Sequence, residues 1–227
     1  MGKDETHAMA YALKMLISGK QGAGKGTQAA KLADHYGVAH VSTGDMFRAA
    51  VKAQTPLGQT AKGFMDRGEL VPDDVVIGVV VEFLTNHGDD GFILDGFPRT
   101  AAQAEALEEA VGEDGLDLLL DLDVPTDIVV ARIAGRRVCS ECGATYHVDS
   151  PPNVQWVCDV CGGAVVQRDD DTEDAVATRL QAYQEQTKPL LDFYAERDLL
   201  VQIDGDGDVD EVFARAVAAI DGARAGS

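Results

Sequence analysis

A glycine-rich loop and a later arginine-bearing segment are the two features of the sequence whose residues could carry out chemistry. The loop is Gly19-Lys20-Gln21-Gly22-Ala23-Gly24-Lys25-Gly26-Thr27, and the later segment is Leu94-Asp95-Gly96-Phe97-Pro98-Arg99-Thr100. Glycines let the backbone turn its N–H groups onto phosphate oxygens, and a following helix adds the positive end of its dipole. The loop alone could only hold a nucleotide. A second segment with its own arginine predicts that a phosphoryl group is passed to an acceptor.

The arginines are concentrated in a few segments of an acidic chain. The 227 residues include 39 acidic and 19 basic side chains, for a formal net charge of −20. Such a surface repels nucleic acid and anionic membranes, so neither is expected as a partner. A protein this acidic that keeps its arginines clustered is expected to use them on phosphates. The clustered residues are Arg48, Arg99, Arg132, Arg136, Arg137, Arg168 and Arg179.

Four cysteines form two CxxC pairs with the spacing of a tetrahedral zinc site, Cys139/Cys142 and Cys158/Cys161. Disulfides are the alternative. The first twelve residues lack the apolar core of a secretory signal, however, and thiols stay reduced in the cytoplasm, which is the expected location. Four thiolates leave no open coordination position, so the zinc would be structural and would hold together a segment too small for its own core.

The elements that must position these residues alternate along the chain. Short apolar runs predict strands at 12–17, 38–42, 91–94, 118–124 and 199–203, and helical spacing predicts helices at 27–36, 73–85, 101–111, 126–134 and 174–197. This alternation predicts an α/β fold with a five-stranded parallel sheet and helices on both faces. Two segments do not fit the alternation: 42–71 is helical, and 137–171 is rich in Cys, Gly and Pro. Both are predicted to be insertions at the carboxyl ends of strands, where such folds bind ligands.

The glycine loop departs from the general phosphate-loop pattern, because Gly26 stands between Lys25 and Thr27. In this form it resembles the loop of the nucleoside monophosphate kinases, and of the adenylate kinases in particular. The resemblance extends over roughly residues 12 to 220. It implies a phosphate-loop core at 12–41, 72–134 and 173–222, a helical AMP-binding flap at 42–71 and a zinc-bearing lid at 135–172. Residues 1–11 would be a polar leader. One departure is Gln21, where relatives often have proline.

The resemblance also implies residue roles. Lys25 would contact the β- and γ-phosphates of ATP, and Arg99 and Arg48 the AMP phosphate. Arg136 and Arg179, assisted by Arg168, would hold the transferring group. Asp95 and Asp45 would hold Mg²⁺ through water, close to Thr27. The implied ATP site is Gly22, Ala23, Gly24, Lys25, Gly26, Thr27, Arg132, Arg136, Thr145, Tyr146 and Gly207. The implied AMP site is Thr43, Arg48, Glu69, Leu70, Val71, Gly96, Phe97, Pro98, Arg99, Gln103, Arg168 and Arg179.

The implied activity is an Mg²⁺-dependent conversion of ATP and AMP into two ADP by a monomeric protein. The nearest alternative is a kinase for UMP, CMP or GMP, although Thr43 and Gln103 favour AMP and short-lid pyrimidine kinases would lack a lid of this length. GTP is an alternative donor, since Arg132 would stack on either purine. A zinc ribbon fused to an ATPase would need a basic face that the charge does not supply. A non-catalytic nucleotide sensor would not need the full arginine set.

Overall fold

The predicted alternation of strands and helices is present in the computed structural model, which describes residues 12–112 and 115–226. The polar leader predicted at 1–11 lies outside the described residues. The strands are β1 (Lys14–Gly19), β2 (Ala39–Ser42), β3 (Phe92–Asp95), β4 (Leu118–Asp123), β5 (Arg136–Cys139), β6 (Thr145–His147), β7 (Val165–Val166) and β8 (Leu200–Asp204). The helices are α1 (Lys25–Tyr36), α2 (Thr43–Lys52), α3 (Pro56–Asp66), α4 (Asp73–His87), α5 (Ala101–Val111), α6 (Thr126–Gly135), α7 (Glu173–Ala182), α8 (Pro189–Ala195) and α9 (Val209–Gly226).

The main sheet confirms the predicted fold class. Its five strands lie in the order β2-β3-β1-β4-β8, and every neighbouring pair is parallel. With β1 in the centre, the loop that follows Gly19 emerges where connections diverge to either side, which is where parallel sheets bind ligands. None of the described helices combines the length and apolar character needed to cross a membrane.

The three inner strands β3, β1 and β4 are buried on both faces, which is why they contain continuous apolar runs rather than alternating residues. Successive strand residues point to opposite faces. Met15 and Ile17 therefore pack in one core with α1 and α9, and Leu16 packs in the other with α4 and α5. Helix α9 was not among the predicted helices, yet its buried residues Val212, Ala216 and Ile220 recur at helical spacing.

The helical stretch predicted over 174–197 is present, but it is not one regular α-helix. A π-helical segment, Tyr183–Thr187, separates α7 from α8. Pro189 begins α8 and explains the interruption, because proline has no N–H and its ring clashes with the carbonyl one turn earlier. The backbone widens there, and the N–H of Lys188 donates to the Tyr183 carbonyl at 2.7 Å.

Two insertions stand at the carboxyl edge of the main sheet. In the first, α2 and α3 pack so closely that a Cβ at Gly58 would lie 2.1 Å from the Ala50 carbonyl oxygen. The second contains β5, β6 and β7, a three-stranded antiparallel sheet with β5 in the centre. Both insertions therefore lie at the same edge of the sheet as the phosphate loop, which follows the carboxyl end of β1.

Candidate active site

The phosphate loop has the backbone geometry that its glycines predict. Gly22 has a φ of 84°, and a Cβ there would lie 2.7 Å from the Val129 carbonyl oxygen, so a side chain cannot be accommodated. Gly24 is the left-handed residue directly before α1. The unsatisfied N–H groups at the N-terminus of α1 are therefore available to an anionic ligand bound at the loop.

Lys25 is held over this loop by backbone carbonyls. Its Nζ donates to the carbonyl oxygens of Gly19 at 2.7 Å and Lys20 at 2.9 Å. Burial lowers the pKa of the Lys25 ammonium from 10.5 to about 8; Asp95 opposes the shift, whereas Arg99 and Arg136 add to it. A neighbouring anion such as a nucleotide phosphate would favour the charged form.

Lys25 and six arginines converge on one cavity of about 1210 Å³, which Lys31 also lines. This volume exceeds the range of about 300–1,000 Å³ that is usual for a single small ligand, so there is room for two. These seven residues come from three separate parts of the chain: the core, the helical insertion and the lid. They are Lys25, Arg48, Arg99, Arg132, Arg136, Arg168 and Arg179.

Two of these arginines are held by buried carboxylates at the foot of the lid. Arg136 forms a two-point pair with Asp171, in which its Nε lies 2.9 Å from Oδ2 and its Nη2 contacts Oδ1. Arg179 Nη2 donates to Asp170 Oδ2 at 2.5 Å, and its Nη1 donates to the backbone carbonyl of the same residue at 3.2 Å. The Arg179 guanidinium also reaches the Met65 carbonyl of the helical insertion, at 3.3 Å. These pairs fix the direction in which both guanidiniums point.

The surroundings of Arg168 favour the binding of an anion, because this arginine is buried beside other guanidinium groups. Burial, together with the neighbouring guanidiniums of Arg48 and Arg136, lowers its pKa to about 10. Its Nε is buried and finds no hydrogen-bond acceptor among the described residues. A buried charged donor without a partner is costly, so an anionic ligand is expected to complete this site.

Arg99 lines the cavity where the chain turns after β3. Its Nε donates to the Gly96 carbonyl at 2.8 Å, and a Cβ at Gly96 would lie 2.6 Å from its Nη2. Glycine at 96 therefore lets the guanidinium fold back over the turn. Burial lowers the pKa of Arg99, and the nearby guanidiniums of Arg179 and Arg48 add to that effect.

Two carboxylates of the cavity have different surroundings. Asp95, at the end of β3, faces the start of α1: a Cβ on Gly26 would lie 3.4 Å from its Oδ2. The Nε2 of His40 lies 3.7 Å from the same oxygen. Asp45 is instead paired with Arg48, and although burial acts to raise its pKa, that guanidinium holds it below its usual value.

The far side of the cavity is suited to a flat ring. Arg132 donates to the Gly205 carbonyl at 3.3 Å and to Asp206 Oδ1 at 3.0 Å, so its guanidinium is held between α6 and the loop after β8. Thr145 and Tyr146 of the lid and Gly207 line the same cavity. A planar guanidinium held in this way can stack on an aromatic base.

The four cysteines form a compact cluster in the lid, away from the arginines. Their Sγ atoms all lie within 4.8 Å of one another, and the Cys139–Cys161 and Cys142–Cys158 pairs are 3.4 and 3.6 Å apart. These are not disulfide distances. A hydrogen bond with the Tyr146 hydroxyl, 3.3 Å from the sulfur, lowers the pKa of the Cys158 thiol to about 6, although burial opposes the shift. Cys158 therefore favours the thiolate form that binds metals. Although the Gly163 N–H acts to lower it, the pKa of the Cys161 thiol is instead raised to about 12 by hydrogen bonds with Cys142 and Cys139.

Comparison with known proteins decides the family. A family model described as Adenylate kinase matches residues 17–199. An adenylate kinase of Carboxydothermus hydrogenoformans is 53% identical over 206 residues, which cover 89% of this chain and 96% of that relative. The adenylate kinase of Bacillus subtilis strain 168 is 50% identical over 206 residues, covering 89% and 95%. The chain belongs to the adenylate kinase family. It is therefore a phosphotransferase of the nucleoside monophosphate kinase class.

Within this adenylate kinase, the residues predicted for ATP and for AMP border the same cavity. Of the residues predicted for ATP, the cavity is lined by Gly22, Ala23, Gly24, Lys25, Gly26, Thr27, Arg132, Arg136, Thr145, Tyr146 and Gly207. Of the residues predicted for AMP, it is lined by Thr43, Arg48, Glu69, Leu70, Val71, Gly96, Pro98, Arg99, Gln103, Arg168 and Arg179. Phe97 differs from the rest, because its side chain is buried in the hydrophobic core with Leu94 and Leu107.

Several residues that orient the predicted arginines were missed from the sequence. Asp170 and Asp171 follow Arg168 directly, and this adjacency of acids and arginine was the available signal. Gln21 had been noted only as a departure from proline. In the amide orientation that satisfies its neighbours, Gln21 Oε1 accepts from Arg179 Nη1 at 2.8 Å and Arg136 Nη2 at 3.2 Å. Nothing in its local sequence indicated these partners.

Proposed function

We propose that this adenylate kinase transfers the terminal phosphoryl group of ATP reversibly to AMP, giving two ADP, with the residue roles implied by its motifs. The observation that carries the proposal is one cavity that is lined both by the phosphate loop and by Arg99, Arg136, Arg168 and Arg179. This arrangement can hold two nucleotides with their phosphates meeting at the arginines.

The arrangement answers the main physical difficulty of the reaction, which is to bring two polyanions together. Two like unit charges 4 Å apart repel by about 1 kcal/mol in water and by about 4 kcal/mol near a protein surface. The acceptor is a phosphate that is already ionised at neutral pH, so a strong general base is not needed. Positioning and electrostatic stabilisation therefore supply most of the catalysis.

Each cationic residue has a task in this scheme. Lys25, at the start of α1, binds the β- and γ-phosphates of the donor. Arg99 and Arg48 bind the phosphate of AMP, and Arg136 and Arg179 bind the group in transfer. Arg168 assists them, since its unpartnered Nε requires an anionic acceptor. The lid excludes water from the γ-phosphate, which would otherwise hydrolyse ATP without a product.

Asp95 and Thr27 fit the place of the Mg²⁺ that accompanies ATP. Asp95 lies beside the phosphate loop, next to Gly26, and hard oxygen ligands with bound water suit this ion. Asp45 fits less well as a metal ligand, because Arg48 already occupies its carboxylate. When bound, the ion would neutralise negative charge on the phosphates.

The four-cysteine cluster fits a structural Zn²⁺. A tetrahedral site with Zn–S distances near 2.3 Å has sulfur–sulfur separations of about 3.8 Å, close to the separations in the lid. Cys139, Cys142, Cys158 and Cys161 would supply all four ligands and leave no position for a substrate. The ion would stabilise the small lid, whose own buried cluster adds only Val165 to Cys139 and Cys158.

The proposal is tested by measuring ADP formation from ATP with AMP, UMP, CMP and GMP in turn. AMP-dependent production, with the other three near background, is the expected result. Strong activity with another monophosphate would keep the mechanism but reassign the pocket around Thr43 and Gln103. Absence of activity with all four would refute phosphoryl transfer by this site. Replacing ATP by GTP tests the donor pocket at Arg132, and the monomeric state and cytoplasmic location stay predictions.

A further inference from the structure

The Gln103 side chain is held in one orientation by two partners of opposite character. Gln103 lies in the first turn of α5, is only 2% exposed, and borders the cavity. Its Nε2 donates to Asp73 Oδ1 at 2.7 Å, and its Oε1 accepts from the backbone N–H of Arg99 at 2.8 Å. A carboxylate can only accept and a backbone N–H can only donate. The positions of the amide nitrogen and oxygen are therefore determined by chemistry.

Asp73 is itself fixed. It is the first residue of α4, and its second oxygen accepts from the Thr100 hydroxyl at 2.9 Å. That hydroxyl in turn accepts from the backbone N–H of Gln103 at 3.3 Å and so caps α5. Asp73 lies behind Gln103 and does not line the main cavity. It can therefore influence a ligand there indirectly, through the Gln103 amide that it holds.

The amide keeps unused hydrogen-bonding capacity on the cavity side. Its nitrogen has two hydrogens, of which Asp73 takes one, and its oxygen has two lone pairs, of which the Arg99 N–H takes one. One donor and one acceptor thus remain side by side. The edge of adenine offers the complementary pair, an acceptor at N1 and a donor at the N6 amino group. A 6-oxopurine such as hypoxanthine reverses both, with a donor at N1 and an acceptor at O6.

We propose that Asp73 is a specificity-determining positioning residue that locks the Gln103 amide in the orientation that pairs with adenine and rejects 6-oxopurines. The inference rests on the proposed function, in which the AMP base meets Gln103. To pair with a 6-oxopurine the amide must rotate by half a turn. Its oxygen would then face the Asp73 carboxylate, and its NH₂ would face the Arg99 N–H. Two buried hydrogen bonds would become two repulsive contacts. The binding of a 6-oxopurine is therefore disfavoured by the Asp73 carboxylate and the Arg99 N–H, although neither group contacts the base.

The experiment compares kcat/KM for AMP and for inosine monophosphate with ATP as donor. Wild type is expected to prefer AMP at least about a hundredfold, since sites built to hydrogen-bond a substrate group reject analogues that lack it. In Asp73→Asn the new amide can accept from or donate to Gln103, so only the Arg99 N–H still opposes rotation. The preference should then fall at least about tenfold, the scale of one lost hydrogen bond to a charged group.

Asp74→Asn is the matched control, because Asp74 is exposed and lies in the same first turn of α4. It removes the same charge and should leave the preference unchanged. If Asp73 only supported the fold, both substrates would lose activity by the same factor and the ratio would stay at its wild-type value. That result would overturn the inference.

A second variant guards against misfolding of the first. Gln103→Met keeps the length of the side chain but has no amide, so it should also reduce the preference for AMP at least about tenfold. An unchanged preference in this variant would show that Gln103 does not read the base and would overturn the inference. Failure of wild type to phosphorylate AMP is a different result, because it would refute the proposed function itself.

Discussion

The buried pair between Arg136 and Asp171 gives a stability prediction that can be worked from the structure. The Asp171 side chain is fully buried, with 0% exposure, and that of Arg136 is 15% exposed. We expect Asp171→Asn to destabilise the nucleotide-free protein substantially. Asparagine can accept only one of the two guanidinium hydrogen bonds, and it leaves the Arg136 charge without a counter-ion in a site that already holds several other cations.

The size of the effect follows from two terms. A hydrogen bond to a charged group is worth about 1.5–3 kcal/mol, and breaking a buried ion pair by removing one partner costs about 3–5 kcal/mol. Because asparagine keeps one bond, we expect a loss of about 3 kcal/mol in the free energy of unfolding. For a chain of this length that corresponds to a melting temperature lower by about 6–12 °C.

The assay is urea unfolding at pH 7 without nucleotide, followed by circular dichroism. Asp66→Asn serves as the control, because its partner Lys62 lies 2.7 Å away in an exposed pair on α3; we expect no measurable loss. The double variant Arg136→Met/Asp171→Asn should be more stable than Asp171→Asn alone, since it no longer contains the uncompensated charge. A loss in Asp171→Asn no larger than that of the control would refute this reasoning.

Three further predictions concern ligands and metal. Arg99→Ala should weaken AMP binding severely and leave ATP binding nearly intact in calorimetric titrations; an unchanged AMP affinity would contradict its assignment. Because burial lowers the pKa of free Lys25 to about 8 and phosphates favour the charged form, ATP binding at pH 8.5 should take up a proton. Lys25→Met should abolish that uptake, as measured by calorimetry in buffers of different ionisation enthalpy. Zinc removal by a chelator should speed amide exchange in 136–166 while the main sheet stays protected, and equal loss of protection in both would exclude a local role for the metal.

Local features of the sequence predicted the site where chemistry and spacing coincide. Three short segments could be identified without knowledge of the fold, because the proposed role of each depends on its own residues. They are the phosphate loop, the turn at Arg99 and the CxxC pairs. Family resemblance then supplied the more distant arginines. The positions of the main strands followed from apolar runs, whereas the break between α7 and α8 was missed although Pro189 signalled it.

The sequence by itself determined the class of the chain, the phosphate-loop motif and the four cysteines that form one cluster, because each depends on residue types at fixed local separations. Only the tertiary structure decided which groups orient these residues. Asp171 reaches Arg136, Gln21 reaches Arg136 and Arg179, and Asp73 reaches Gln103 from a different helix. Such contacts join segments far apart in the chain. They exist only once the sheet, the flap and the lid have packed around one cavity, so local sequence cannot specify them.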